Sequence, residues 1–278
     1  MSKDHSTNQN TPLIETIEVQ ARYGKKIILH KTSFCVKRGE FICIVGPNGS
    51  GKSTFLSLLA NIDQHGLTKT GEIRLQNENI EKFSRRRLAQ NLSFMTQTEH
   101  SAWDFSVYDT LKNGRFSHKN LMQSYNQNDE NIIVNAMHEL DISHLKNRSV
   151  HSLSGGEFQK VRIARSLVQK SPLLLLDEPI ANVDFSYQHT ILQKLQTLAH
   201  KKHVGVVIAI HDINAAALFA DKIALLCPAD NIDYDKKQLR IGTPKEILHC
   251  DVLSEAYAGT FTVFNHPIYN CPQICISV

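Results

Sequence analysis

GPNGSGKST, residues 46–54, is the stretch that decides the fold. It fits G-x-x-x-x-G-K-[ST], with Gly46, Gly51, Lys52 and Ser53 at the defining positions. An apolar run, FICIV (41–45), precedes it, and Phe55, Leu56, Leu59 and Ile62 follow at helical spacing. Strand, glycine-rich turn and helix in that order make a phosphate cradle. The loop from Gly46 through Pro47, Asn48, Gly49, Ser50 and Gly51 to Lys52, Ser53 and Thr54 can turn backbone N–H groups inward around phosphate oxygens. The helix N-terminus adds about half a positive charge. Lys52 can reach the β- and γ-phosphates of a nucleotide and Ser53 can ligate Mg²⁺.

Three further strand-like runs end in polar groups. LLLLDE (173–178) delivers Asp177 and Glu178, and carboxylates at the C-terminal end of a buried strand belong at the ligand edge of a parallel sheet. Asp177 is expected to hold Mg²⁺, and Glu178 to orient and deprotonate an attacking water. Asp177 as a simple helix N-cap is the plainer alternative. VGVVIAI (204–210) ends at His211, placed for a γ-phosphate contact, and LSFMTQ (92–97) ends at Gln97, a neutral group suited to Mg²⁺ or water.

Around these points the chain alternates short apolar runs with amphipathic stretches, the sign of βαβ units. The expected fold is α/β: a P-loop NTPase with a mostly parallel core sheet, an N-terminal antiparallel β subdomain and a helical insert at about 98–170. Within the insert, QSYNQNDEN (123–131) reads as a solvated loop. Residues 1–12 read as a disordered polar tail, 13–250 as the ATPase domain and 251–278 as a C-terminal extension packed on it.

With 278 residues the chain can bury a full core, and its net charge of +4 is mild. Arginines 85–87 read as solvated helix surface, and no basic stripe points to nucleic acid. No apolar run reaches the roughly 18 residues that cross a bilayer. The six cysteines are expected mainly as buried, reduced thiols, and HCD (249–251) with CPQIC (271–275) matches no zinc spacing.

LSGGE (153–157) opens another helix with free N–H groups, yet one ATP is already served by the groups above. A serine N-cap beside flexible glycines would explain the five residues in isolation. A corner without a phosphate in its own subunit can also serve one in a second copy, giving two composite sites by symmetry.

In order and separation, GPNGSGKST, LSGGEFQKVRIARSL, LLLLDEP and the HD at 211–212 resemble an ATP-binding cassette (ABC) ATPase through about residues 14–250. The resemblance implies ATP and Mg²⁺ as cofactors. It implies that Tyr23, in RYGKKIIL, stacks on adenine, that Ser154, Gly155 and Gly156 contact the partner's γ-phosphate, and that Asp184, in ANVD, links the two sites. Glu157, where glutamine is more usual, and the IANVD loop are small departures.

FSVYDTLKNGR (105–115) and the C-terminal segment resemble cassettes serving importers of ferric siderophores, haem and cobalamin. That likeness implies a head-to-tail homodimer at the cytoplasmic face of the membrane. It also implies a multi-span permease docked near residues 97–115 and an extracytoplasmic substrate-binding protein. Zinc or manganese import, or a soluble ABC ATPase without transport, are the alternatives.

Overall fold

In the computed structural model, residues 11–99, 104–120, 123–231 and 238–277 are described. Strand β3 (Phe41–Val45) shows why the central sheet forms. All five residues are buried, with Phe41, Cys43 and Val45 in one apolar cluster and Ile42 and Ile44 in the other. Side chains alternate across a strand, so a run without a polar face must be covered on both sides. The same holds for β7 (Leu173–Asp177) and β8 (Gly205–Ala209), and nearly so for β9 (Lys222–Leu226). With β6 (Leu92–Met95) and β10 (Leu239–Gly242) the order is β10-β9-β3-β8-β7-β6. Neighbours are parallel except β10, which runs antiparallel to β9. The chain segments leaving β3, β6, β7 and β8 therefore emerge at one edge, carrying Gly46, Gln97, Glu178 and His211 there.

One face of this sheet is covered by α1 (Lys52–Leu59) and by an antiparallel sheet of β1 (Ile14–Tyr23), β2 (Lys26–Val36), β4 (Leu67–Leu75) and β5 (Glu78–Asn79), ordered β2-β1-β4-β5. This is the expected β subdomain. Helix α1 ends earlier than the apolar spacing suggested. Ala60 caps it, Asn61 takes φ 52°, and Ile62 lies exposed beyond it. Helix α2 (Arg85–Asn91) carries the arginine triplet and buries no residue. Arg86 donates to Ser117 O and Arg87 to Glu78, so the triplet is surface, as read.

The opposite face carries the helical region, α3 (Val107–Asn113), α4 (Gln127–Glu139) and α5 (Gly155–Val168), with α6 (Phe185–Lys202) and α7 (Ile213–Phe219) beneath the sheet. Gly114 lets α3 meet α5 closely, since a Cβ there would lie 2.6 Å from Val168 Cγ2 and 2.7 Å from Arg165 O.

The reading of 123–131 as loop is corrected here. Asn126 caps α4, accepting from Asp129 N, while the Asp129 carboxylate accepts from Asn126 N. Asp129 is buried with Arg115, whose Nε donates to it at 3.1 Å, and with Lys119. Burial alone would raise the Asp129 carboxyl. The Lys119, Asn126 and Arg115 donors outweigh it and hold the carboxyl at about 2. The polar residues of this segment are thus a helix cap and a buried ion cluster.

After β10 come α8 (Pro244–Ile247), α9 (Cys250–Tyr257) and a hairpin, β11 (Phe261–Asn265) with β12 (Pro272–Ile276). The hairpin is pinned to α7 by the Asn214 amide, which donates to Ile274 O (3.1 Å) and accepts from Ile274 N (2.8 Å). All six cysteines are free thiols, but only Cys43 and Cys227 are buried. Cys250 and Cys275 are exposed because α9 and the hairpin bury one side only. Among the described residues no helix is long and apolar enough to cross a membrane.

Candidate nucleotide-binding site

Gly46 through Gly51 join β3 to α1. Gly46 takes φ 155°, and a Cβ there would lie 2.2 Å from Leu226 O, so no other residue fits without moving β9. Gly51, the N-cap of α1, takes φ 101°, a left-handed conformation that glycine adopts without strain. The loop so formed presents its tip, Asn48 and Gly49, to solvent above the helix N-terminus.

The Lys52 ammonium folds back over this loop, donating to Gly46 O at 2.8 Å and Pro47 O at 3.0 Å. Burial lowers its pKa, while the Glu178 and Asp177 carboxylates act against that. Asp177, at the end of β7, is 2% exposed and its Oδ1 has no partner. Burial raises its carboxyl, the Ser53 hydroxyl opposes this, and Glu178 adds to it. A buried carboxylate oxygen without a donor, beside a helix-start hydroxyl, is suited to a hard divalent cation that takes oxygen ligands. The residues present therefore fit Mg²⁺.

Glu178 sits at φ 50°, with its N–H donating to Ala209 O at 3.1 Å. Its Oε1 lies 2.6 Å from His211 Nε2. Lys52 and Ser53 at the start of α1 thus lie together with Asp177, Glu178 and His211 at the strand ends.

Other expected residues stand apart from this group. Gln97 lies two residues beyond β6 with its side chain exposed. Tyr23, at the end of β1, is partly exposed and its hydroxyl donates to Gln64 Oε1 at 2.7 Å. Ser154 caps α5 through a reciprocal pair with Glu157. Its hydroxyl and N–H donate to Glu157 Oε2 at 2.9 and 2.8 Å, and its Oγ accepts from Glu157 N. The N-cap alternative is therefore real, and Ser154 and Gly155 remain exposed. Gly156 abuts Asn182, with a Cβ there falling 3.2 Å from Asn182 O, so the LSGGE corner lies beside the loop that bears Asp184. Asp184 is the exposed N-cap of α6. Among the described residues no hydrogen bond or ion pair joins Ser154, Gly155 or Gly156 to the P-loop.

The buried face of α5 supplies two site residues that motif reading missed. Gln159 donates to Glu178 O at 2.9 Å. Arg162 donates to Gln159 Oε1 at 2.9 Å, to Gln97 O at 3.2 Å and to Thr96 O, and it pairs with Glu99. Arg165 also pairs with Glu99. The helix that starts at Ser154 thereby grips both the Gln97 loop and the Glu178 backbone. A signal existed: Gln159, Arg162 and Ser166 recur at helical spacing on the apolar face of α5, where polar groups need partners.

A family model described as ABC transporter matches residues 29–181, more than half of the chain. The chain belongs to the ABC transporter family. The hemin import ATP-binding protein HmuV of Escherichia coli O157:H7 is 34% identical, over 86% of this chain and 89% of its own length. The ferric enterobactin transport ATP-binding protein FepC of Escherichia coli (strain K12) is 29% identical, over 91% of this chain and 89% of its own. The dimeric structure of MJ0796, a bacterial ABC transporter cassette, superposes with a TM-score of 0.68 at 25% identity, covering 83% of this chain and 98% of that one. The α/β cassette fold and ATP hydrolysis expected from the motifs hold for this member of the ABC transporter family.

Proposed function

We propose that this cassette powers import of an iron complex, a ferric siderophore or haem, through a separate membrane permease. The observation that carries the ATPase part is the constellation of Lys52, Ser53, Asp177, Glu178 and His211 at one sheet edge. The names of the relatives, hemin and ferric enterobactin import proteins, support the cargo class.

ATP is held by Gly46–Thr54, with Tyr23 against the adenine. Ser53, Asp177 and Gln97 would hold Mg²⁺, which would supply charge neutralisation at the phosphates. Glu178 takes the proton of the attacking water, and His211 holds that carboxylate in place. Ser154, Gly155 and Gly156 complete the site of a second copy placed head to tail, with Asp184 linking the two sites. The exposure of Ser154 and Gly155 beside Asn182, without a phosphate cradle of their own, supports this.

Permease docking is assigned to the surface around 97–115, of which residues 100–103 lie outside the described residues. A cleft of about 320 Å³ adjoins it, lined by Phe94 and Phe116 together with polar residues that include Asn113, Arg165 and Gln169, and Phe116 is 68% exposed. An apolar side chain at the mouth of a cleft suits a partner helix. The cassette accordingly works at the cytoplasmic face of the membrane, with a substrate-binding protein on the far side. The division into an ATPase domain at 13–250, a helical subdomain at about 98–170 and a C-terminal extension from 251 belongs to the same proposal.

The test is capture of Glu178→Gln protein with ATP from detergent-solubilised membranes. A many-spanning protein as main partner supports transport, and its identity narrows the cargo. Recovery of soluble, ribosomal or DNA-bound partners alone overturns the transport reading.

A further inference from the structure

A cavity of about 520 Å³ lies between α6, α5 and the C-terminal end of α4. Its apolar lining is Leu140 at the cap of α4, Ile163 and Leu167 on α5, and Ile191, Leu195 and Leu198 on α6. A second cavity of about 210 Å³ adjoins it, sharing Glu139, Leu167, Leu198 and Lys202, and reaches Leu174 on β7. The two form one groove from the seam between the helices down to the central sheet.

The charges along this groove do not balance. Lys170, Lys194, Lys201 and Lys202 line it, against Glu139 and Asp141 alone. Lys194 donates to Glu139 O and pairs with Asp141 at 3.3 Å, and Lys202 pairs with Glu139 Oε1 at 3.3 Å. Among the described residues the ammonium groups of Lys170 and Lys201 make no hydrogen bond or ion pair. Two positive charges are thus left over, one lining each cavity. Desolvation lowers the pKa of the Lys170 ammonium, Lys202 lowers it further, and Glu139 works against them. The uncharged polar lining is His138, Gln193, Thr197 and Ser171.

An apolar floor with a few polar groups around it is the usual form of a small-molecule site. Leu140, Ile163, Ile191 and Leu195 are at most 2% exposed, so the floor admits a single hydrocarbon chain rather than a helix about 10 Å across. The unmatched lysines call for an acidic head on that chain.

We propose that this groove binds a small amphipathic anion, an acyl-length apolar tail bearing a carboxylate or phosphate head, with the head taken by the lysines that lack an anion. None of its lining residues belongs to the group at the strand ends, so the inference does not rest on the ATP site or on the cargo.

The test is calorimetric titration of the full chain with octanoate, decanoate, dodecanoate and dodecyl phosphate, each below its micelle concentration. MgADP is kept saturating so that the P-loop takes no probe. Binding at a single site is expected, tightening about fourfold per added methylene. The better binder of dodecanoate and dodecyl phosphate tells which head the lysines take. Replacing both exposed lysines, Lys170→Gln with Lys201→Gln, should weaken dodecanoate about tenfold with an unchanged melting temperature. Leu198→Trp, which fills the groove where the two cavities meet, should abolish binding. If that variant does not fold, the lysine pair still decides. Absence of binding, binding of several equivalents indifferent to the lysine replacements, or equal binding of dodecyltrimethylammonium overturns the proposal. So does failure of every probe with Lys201 shielded from an amine reagent only in the assembled transporter, which would give the groove to a protein partner.

Discussion

Glu178 and His211 meet at 2.6 Å, carboxylate oxygen to Nε2, across the ends of the adjacent parallel strands β7 and β8. The parallel register sets Asp177 opposite Ala209, so the residues just beyond each strand share one side of the edge. Glu178 is further fixed by its strained φ and by Gln159 on its carbonyl. A base held this way loses little entropy on reaching the transition state.

Replacing Glu178 by glutamine keeps the size and removes the proton acceptor. Turnover should fall by about 10²–10⁴, the usual weight of a general base, while ATP binding persists. Size-exclusion chromatography of this variant with ATP should show a dimer. A monomer under saturating ATP would sink the composite-site proposal.

Ser154 is exposed at the start of α5, so Ser154→Arg adds bulk at the surface without disturbing the core. Hydrolysis should be lost with nucleotide binding to the isolated subunit nearly intact, as read by titration with a fluorescent ADP. Loss of the cap costs about 1 kcal/mol of stability, which chemical denaturation can check. Abolished binding would mean that Ser154 serves its own subunit.

Arg162 spans α5, the Gln97 loop and Glu99. In Arg162→Met the carbonyls of Thr96 and Gln97 lose their donor, and Glu99 keeps Arg165 alone. A loss of about 2–3 kcal/mol in stability is expected from a broken, largely buried charged network. ATPase activity should fall as well, because the Gln97 loop is no longer held. Unchanged activity with reduced stability would make the network purely structural.

Asp129, held at about 2 from an ordinary 3.8, gives a pH signature. Its carboxyl is more acidic folded than unfolded, so the unfolded chain binds more protons between those values. The stabilisation is complete above about 3.8 and disappears as pH falls through about 2. Asp129→Asn leaves Arg115 and Lys119 buried without their anion and should cost about 3 kcal/mol near neutrality. The gap between parent and variant in denaturant titrations should narrow steadily below pH 4. A gap constant from pH 7 down to pH 2.5 would contradict the ion cluster.

By itself the sequence determined the P-loop, the strand ends at Asp177 and His211, the parallel sheet and the LSGGE corner. Each is written in a short stretch, because a phosphate turn or a buried strand depends on neighbours a few residues away. Local polarity misled at Asp129, where a helix cap and a buried anion look like a solvated loop, and apolar spacing overran α1 at Ile62. Only the tertiary structure decided that Arg162 grips the Gln97 loop, that Gln159 holds the Glu178 backbone, and that the Gln238 amide bridges Ile28 O and Cys227 O. Those pairs lie from 11 to 210 residues apart and carry no pattern in the chain. They exist because a parallel sheet with covered faces gathers remote strand ends at one edge, where each buried polar group must find whatever partner the fold brings.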